Sequence, residues 1–582
     1  MPRLAFRLHR LALGSGLGLV LLTGLACGGG GSASASSDSP GPSTPAPDPG
    51  APLVCYADLA SGPTSGGEHG KGTFLSIFGK RFGTGGLGSR VRVYLGDSEI
   101  DNYRYLGPSK GRPDIQQITV QVGALGGAAQ GHALPVKVMV DGVASNTDVT
   151  FTPNPGHIYF VDNVHGDDAT GAPDDPSHPY RHVQTPALYT GGVWPLLHPG
   201  DILVLRGTGT PWTDVGFEGY FLRFRDKSGS APMGAEGTGP IAVMGYPGED
   251  AYIRGTLAGG MTGGGISAIN GETYPGLGQW AVVADLRLDV EGYDGPISQE
   301  IHGDHWRVVN NDLAASTAPT SGPDAPRMGG ITGNGEGSVW LGNHIHDIQG
   351  SEGEAHGLYI DGDGSYEIAY NLIERIRSGN GFQIYVNGTN GSLTAGHVNL
   401  HHNLIHDVSK HGINLADGAR EGIRIWDNLV YNATYAAVRF NTLDLTGAQI
   451  AGNTFYATDL SGASNYGALT NTWTLPSGAL SVKNNLFVVA SGTPYISGTV
   501  GITAAQAALD HNLWFNGSGD TSLDAHPVLS DPAFVAPGSD FHLRSGSPAL
   551  GAGLEQALVP TDYELLPRTH PPDLGALGVA RP

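Results

Sequence analysis

One short phrase recurs along the second half of the chain and limits what it can fold into. Asn311-Asp-Leu313 is followed by Asn343-His-Ile345, Asn371-Leu-Ile373, Asn403-Leu-Ile405 and Asn428-Leu-Val430. Asn453-Thr-Phe455, Asn485-Leu-Phe487 and Asn512-Leu-Trp514 continue it, at intervals of 32, 28, 32, 25, 25, 32 and 27 residues. A repeat of this length that is similar without being identical marks a solenoid, in which each unit buries its apolar face on its neighbours. Each unit carries short alternating runs of Val, Ile, Phe and Tyr broken by Gly and Asn, which predicts strands. An Asn fixed once per unit predicts a stacked amide ladder. The expected fold is all-β: a right-handed parallel β-helix of about ten coils over residues 156–582, closed by N- and C-terminal caps.

The chain has 582 residues, with 92 glycines and 39 prolines, a composition of turns rather than helices. Lys and Arg total 31 against 54 Asp and Glu, a net charge of −23. That balance repels nucleic acid, and a polyanionic partner would need a local basic patch or a bound cation. Residues 1–26 have the form of an export signal, with Arg3, Arg7 and Arg10 before an apolar stretch, Leu11 to Leu22, too short to span a membrane. The ending Leu25-Ala26-Cys27 resembles a bacterial lipobox, with Gly24 where that motif carries Leu. The resemblance implies lipidation at Cys27, a membrane-tethered protein of the cell envelope, and a flexible linker over 27–52. An ordinary secretory signal is the alternative. Cys55 would then be the only cysteine left, so the mature chain has no disulfide.

Residues 53–155 alternate short strand-like runs with glycine-rich turns, predicting a small β-sandwich. Gly62-Pro63, Gly66-Gly67, the run Ile77-Phe-Gly-Lys-Arg-Phe-Gly83 and Ser145-Asn146 resemble the IPT/TIG immunoglobulin-like family, which implies a spacer or carbohydrate-contacting module. Beyond it, Ile158-Tyr-Phe-Val-Asp162, Gly166-Asp167-Asp168 and Pro199-Gly-Asp-Ile-Leu-Val-Leu205 resemble the opening of the pectate lyase-like β-helix superfamily. That resemblance implies a capping helix near Val183 to Tyr189. Asp285 is expected where later coils carry the ladder Asn.

Superposing the units exposes a candidate site. Leu358/Ile360, Phe382/Ile384, Ile413/Leu415 and Val438/Phe440 alternate with Tyr359, Gln383, Asn414 and Arg439, so the second set faces outward. Beside it run Asp361, Tyr385, Ala416 and Asn441, and on the turn side His356, Asn380 and His411, with Lys410 adjacent. These are hydrogen-bonding and titratable groups rather than the Thr, Ser and Val of a plain solvated sheet. Catalytic roles are expected for Lys410, His411, Arg439, His356 and Tyr359. Substrate contacts are expected from Gln383, Tyr385, Asn414, Asn441 and Trp426. Glu352, Glu354, Asp361 and Asp363 are candidate calcium ligands. His344, His346, His401, His402 and His406 show no HExxH spacing and read as hydrogen-bonded surface groups.

Secreted proteins of the β-helix resemblance include polysaccharide lyases, C5-epimerases and inverting glycoside hydrolases. β-Elimination on a uronic-acid chain needs a cation for the sugar carboxylate, a base for the C5 proton and an acid at the leaving oxygen. Arg439 or calcium, then Lys410, His411 or His356, then Tyr359 or Tyr385 supply these in turn. A lyase acting on an acidic polysaccharide is the expected activity, with a monomer expected. A C5-epimerase, a hydrolase, or a non-catalytic glycan-binding adhesin are the alternatives.

Overall fold

The computed structural model describes residues 50–580 apart from 124, 126–128, 188–190, 225–233, 270–277, 386–394, 418–421, 443–444, 459 and 461–465. The side chains of 363, 395 and 396 also lie outside it, as does Cys27. The chain is all-β, with long parallel sheets of the kind that build a parallel β-helix.

Three stacks of parallel strands follow one another in a fixed order. Sheet A runs from Ile158–Val161 to Ala507–Asp510, sheet C from Tyr252–Gly255 to Leu513–Phe515, and sheet B from Tyr220–Phe224 to Ile496–Ser497. From Arg307 onward the chain passes A, then C, then B, and pairs each strand with its counterpart one repeat later, as in Val430 with Phe455 and Asn414 with Arg439. The long strands Gly329–Leu341 and His356–Ala369 run through both sheets B and A without a break.

The turn from sheet A to sheet C explains the recurring Asn. From Asp285 onward its first residue is left-handed: Asp285, Asn310, Gly342, Tyr370, His402, Asp427, Gly452, Asn484 and His511 have φ between 50° and 67°. The sharp bend deprives the next backbone N–H of a strand partner, and the Asn side chain replaces it. The Asn343 N–H and Nδ2 both donate to Asn371 Oδ1, each at 3.0 Å. The same pair of bonds joins Asn371 to Asn403, Asn403 to Asn428, Asn428 to Asn453, Asn453 to Asn485 and Asn485 to Asn512. The predicted ladder is present and fully buried. It starts at the Leu286 N–H, which donates to Asn311 Oδ1, and ends on Asp524, which accepts from Asn512 N–H and Nδ2. Asp285 is therefore not a ladder residue: it holds the left-handed position one place earlier, and Leu286 occupies the Asn site.

Residues 53–153 form two mainly antiparallel sheets. They pack on the outer face of sheet A, where Tyr56, Phe78 and Val120 share one core with Phe160, Val204, Met244 and Val282. Ile158–Val161, Ile202–Leu205 and Ala281–Ala284 are consequently buried on both faces, and their sequences are unbroken apolar runs. Arg112 reaches from this region to the His402 carbonyl, and Arg307 donates from sheet A to the Ala57 carbonyl. No helix forms over residues 183–187, and 188–190 lie outside the described residues, so the expected capping helix is not found. The apolar end is plugged instead by Val183, Val193 and Trp194, the last opening a single 3-10 turn, Trp194–Leu196. This cover reaches only the earlier strands of sheet A; Arg424 and Ala508 on later ones are exposed.

Candidate functional site

The outward positions of sheet B form one column through successive strands: Ser298, Thr332, Tyr359, Gln383, Asn414, Arg439 and Thr470. Ser298 and Thr332 on one side and Thr470 on the other flank four large polar groups. There the surface sinks into a cleft of about 520 Å³. His356, Tyr359, Gln383, Tyr385, Lys410, His411, Asn414, Arg439 and Asn441 all line it, together with Glu354. The alternation of the strands thus brings most of the predicted residues together.

Each turn-side histidine is locked by the next repeat. The Asn380 N–H donates to His356 Nδ1 at 2.9 Å, and the Ala436 N–H donates to His411 Nδ1 at 3.2 Å. An acceptor at Nδ1 fixes the neutral tautomer with its proton on Nε2. Burial pushes His356 down to about 3 and holds His411 well below the ordinary imidazole range, with Arg439 and Lys410 adding to the effect at His411. Both rings are therefore hydrogen-bond donors at neutral pH. The expected base role for either does not fit, because the one basic nitrogen is already occupied. Tyr359 donates to the Tyr385 carbonyl at 3.2 Å, and burial, with Asp361 adding, raises its pKa well above the ordinary phenol value. It stays protonated.

The floor is polar and buried. Gln383 Oε1 accepts from both Asn380 Nδ2 and Asn414 Nδ2, at 2.5 and 2.7 Å. Asn414 Oδ1 and Arg439 Nε are buried with no hydrogen-bond partner. Among the described residues no carboxylate pairs with Arg439, and burial lowers its pKa. Among the described residues Lys410 Nζ pairs with the exposed Glu352, at 3.4 Å, and lies 5.3 Å over the Tyr435 ring. The cleft therefore holds a guanidinium, an ammonium and two ring N–H donors against little negative charge, in a chain of net charge −23.

Tyr435 and Tyr466 stack at 4.5 Å on the turn side of the cleft, and Arg327 lines it as well. Sequence reasoning missed all three. Tyr435 and Tyr466 hold the same place in their repeats as Lys410, three residues before the inward strand positions Ile413, Val438 and Leu469, and extending that column would have found them. On the other rim Asn441 Oδ1 accepts from Trp473 Nε1 at 2.8 Å, bringing a further exposed ring to the edge.

Trp426 is not in this cleft. It lies on sheet A, stacked on His401 at 4.2 Å. Among the described residues the calcium candidates do not converge. Glu352 pairs with Lys410, Glu354 with Arg327 at 3.5 Å, and Asp361 accepts from Asn334 Nδ2 at 3.0 Å. The Asp363 side chain lies outside the described residues. Three carboxylates engaged with three separate donors do not make the convergent oxygen cage that calcium takes.

No protein-family model matches the chain. No curated protein matches it either. What the cleft does has to be argued from its own groups: it offers cations and N–H donors to an anion, and tyrosine faces to a ring.

Proposed function

We propose that this chain is a carbohydrate-active protein whose sheet B cleft binds an acidic polysaccharide and cleaves it by β-elimination. The observation that carries this reading is Arg439, a guanidinium in the cleft with a buried, partnerless Nε and no paired carboxylate among the described residues. A half-buried cation left in this state is costly unless a ligand supplies the counter-charge. A uronate carboxylate matches it, and Tyr435, Tyr466 and Trp473 provide faces for sugar rings. In this reading Arg439 neutralises the carboxylate and so acidifies the C5 proton. Lys410 takes that proton after giving up its own to solvent. The C4–O bond breaks as the C4=C5 double bond forms, and the leaving oxygen collects a proton from Tyr359. The locked histidines donate from Nε2 to substrate oxygens.

A non-catalytic glycan-binding protein is the second reading. It draws on the same tyrosines and on the locked histidines, whose Nδ1 atoms are occupied and which offer hydrogen-bond donors but no base. The fold reading that accompanies both is a right-handed β-helix of about ten coils carrying an immunoglobulin-like sandwich, tethered to the cell envelope through Cys27. A panel of polyuronates separates the two. A lyase generates an unsaturated product that absorbs in the ultraviolet, an epimerase exchanges the C5 proton without cleavage, and a binding protein retains the glycan unchanged. Neutral glycans binding in preference to every polyuronate would overturn the acidic-substrate assignment.

A further inference from the structure

The outer face of sheet C carries a second constellation, away from the cleft strands. His344 and His346 are two residues apart on one strand, so both rings face outward, and they stack at 4.2 Å. Asp312, directly opposite His344 on the preceding strand, completes a triangle. Its Oδ1 is 2.7 Å from His346 Nε2 and 3.5 Å from His344 Nδ1. Ligand atoms about 2.1 Å from a tetrahedral ion sit roughly 3.4 Å apart, so this triangle needs only small adjustments to close on one.

The far nitrogens give an independent sign. His344 Nε2 donates to Glu374 Oε1 at 3.0 Å, and His346 Nδ1 donates to Asp347 Oδ2 at 3.0 Å. Each ring thus has a carboxylate behind it, holding one nitrogen as a donor and turning the other toward Asp312. Carboxylates placed this way orient metal-binding histidines and raise their basicity. Both are held in turn: Arg375 bonds Glu374 and Asp347, and Arg377 adds a bond to Asp347 at 2.5 Å. The three inner groups are half-buried, which leaves a fourth side for water.

We propose that Asp312, His344 and His346 bind a divalent cation of the zinc class. Two imidazoles and one carboxylate suit a borderline ion rather than calcium or magnesium. The ligands come from two successive strands, so the ion would clamp adjacent repeats together. Spacing along the sequence concealed the site, because Asp312 lies 32 residues before His344 and joins it only through strand pairing.

The test uses the full chain purified without a histidine tag, stripped with chelator and titrated with Co2+ and Zn2+. We expect one Co2+ per chain with the visible absorption of a tetrahedral N/O site, displaced by Zn2+, and a higher thermal midpoint with zinc. His346→Asn should remove the site. Glu374→Gln leaves the three ligands in place and should weaken binding about 10–100-fold, so the proposal stays testable if His346→Asn fails to fold. His526→Ala controls for the other cluster, Asp510, His511 and His526, and should change nothing. Absence of stoichiometric binding, or binding that follows His526 and ignores His346 and Glu374, would overturn the assignment.

Discussion

Two columns run through the parallel sheets from Asn311 to Asn512, each contributing one residue per repeat, and they behave in opposite ways. The inner column repeats Asn, and its members satisfy one another: each Oδ1 accepts two bonds from the Asn before it. The outer column of sheet B changes residue at every step, from Tyr359 to Gln383 to Asn414 to Arg439, and leaves Asn414 Oδ1 and Arg439 Nε without partners. A repeated residue that closes its own hydrogen bonds serves the fold. In the proposed reading, a varied column with unmet groups is matched to a ligand, since buried polar atoms are otherwise paired.

The largest expected effect breaks the outer column. If Lys410 takes the C5 proton, Lys410→Met should lower turnover about 10²–10⁴-fold while leaving the affinity for uncleaved polyuronate nearly unchanged. Arg439→Ala should instead weaken binding itself, by roughly 10–100-fold, since it removes charge-assisted hydrogen bonds. Equilibrium binding set beside single-turnover rates distinguishes the two. Equal losses of both quantities in both variants would mean the cleft binds as one unit and no base has been identified.

The next effect breaks the inner column. Asn403→Leu leaves the Asn371 N–H buried and unpaired and takes one of the two bonds of Asn371 Nδ2, which keeps the Trp340 carbonyl; this should cost about 3 kcal/mol of stability. Chemical denaturation of the variant should show an earlier midpoint with an unchanged slope. A loss below about 0.5 kcal/mol would show that the ladder bonds are replaceable by water or by relaxation of the turn.

Much of this contrast is legible in the sequence. The ladder announces itself because one residue type must recur wherever the backbone makes the same bend, and strand alternation fixes which neighbours face out. What depends on the third dimension is harder to read. Trp426 looked like a partner of the outer column because both belong to polar, outward strand positions, but it sits on sheet A, and one chain gives no label that distinguishes the sheets. Asp285 was misplaced by one residue because the left-handed position and the ladder position are adjacent, and Asn310-Asn311 can fill both. The acidic loops suggested calcium because Asp and Glu are frequent there, whereas the folded chain pairs them with Lys410, Arg327 and Asn334.

Acid should act on the rim of the outer column. Burial depresses His356 to about 3, below the unfolded value near 6.5, so the unfolded chain takes up a proton first. Stability is therefore lost as pH falls through 6.5 and continues to fall until about 3, with about 3 kcal/mol gone from this group at pH 4. His411 shifts in the same direction and adds to the loss. His356→Gln should flatten the dependence between pH 7 and 4 relative to the parent, measured by denaturation at each pH. An unchanged slope would mean that the ring protonates in place.

The smallest effect on stability sharpens the comparison most. Asn414 is as buried as a ladder Asn, and replacing it by Leu is the same chemical change as Asn403→Leu. Its Oδ1 has no partner, so Leu removes an unmet acceptor rather than breaking a bond. The one bond lost is from Nδ2 to Gln383 Oε1, and that oxygen keeps its bond from Asn380. The two terms offset, so Asn414→Leu should change stability by less than about 1 kcal/mol in either direction. Polyuronate affinity should fall all the same, because a polar side chain that lines the cleft is gone. Equal destabilisation by Asn403→Leu and Asn414→Leu would show that the unmet groups of sheet B are paired through water in the free protein. The distinction between a column built for the fold and a column built for a ligand would then fail.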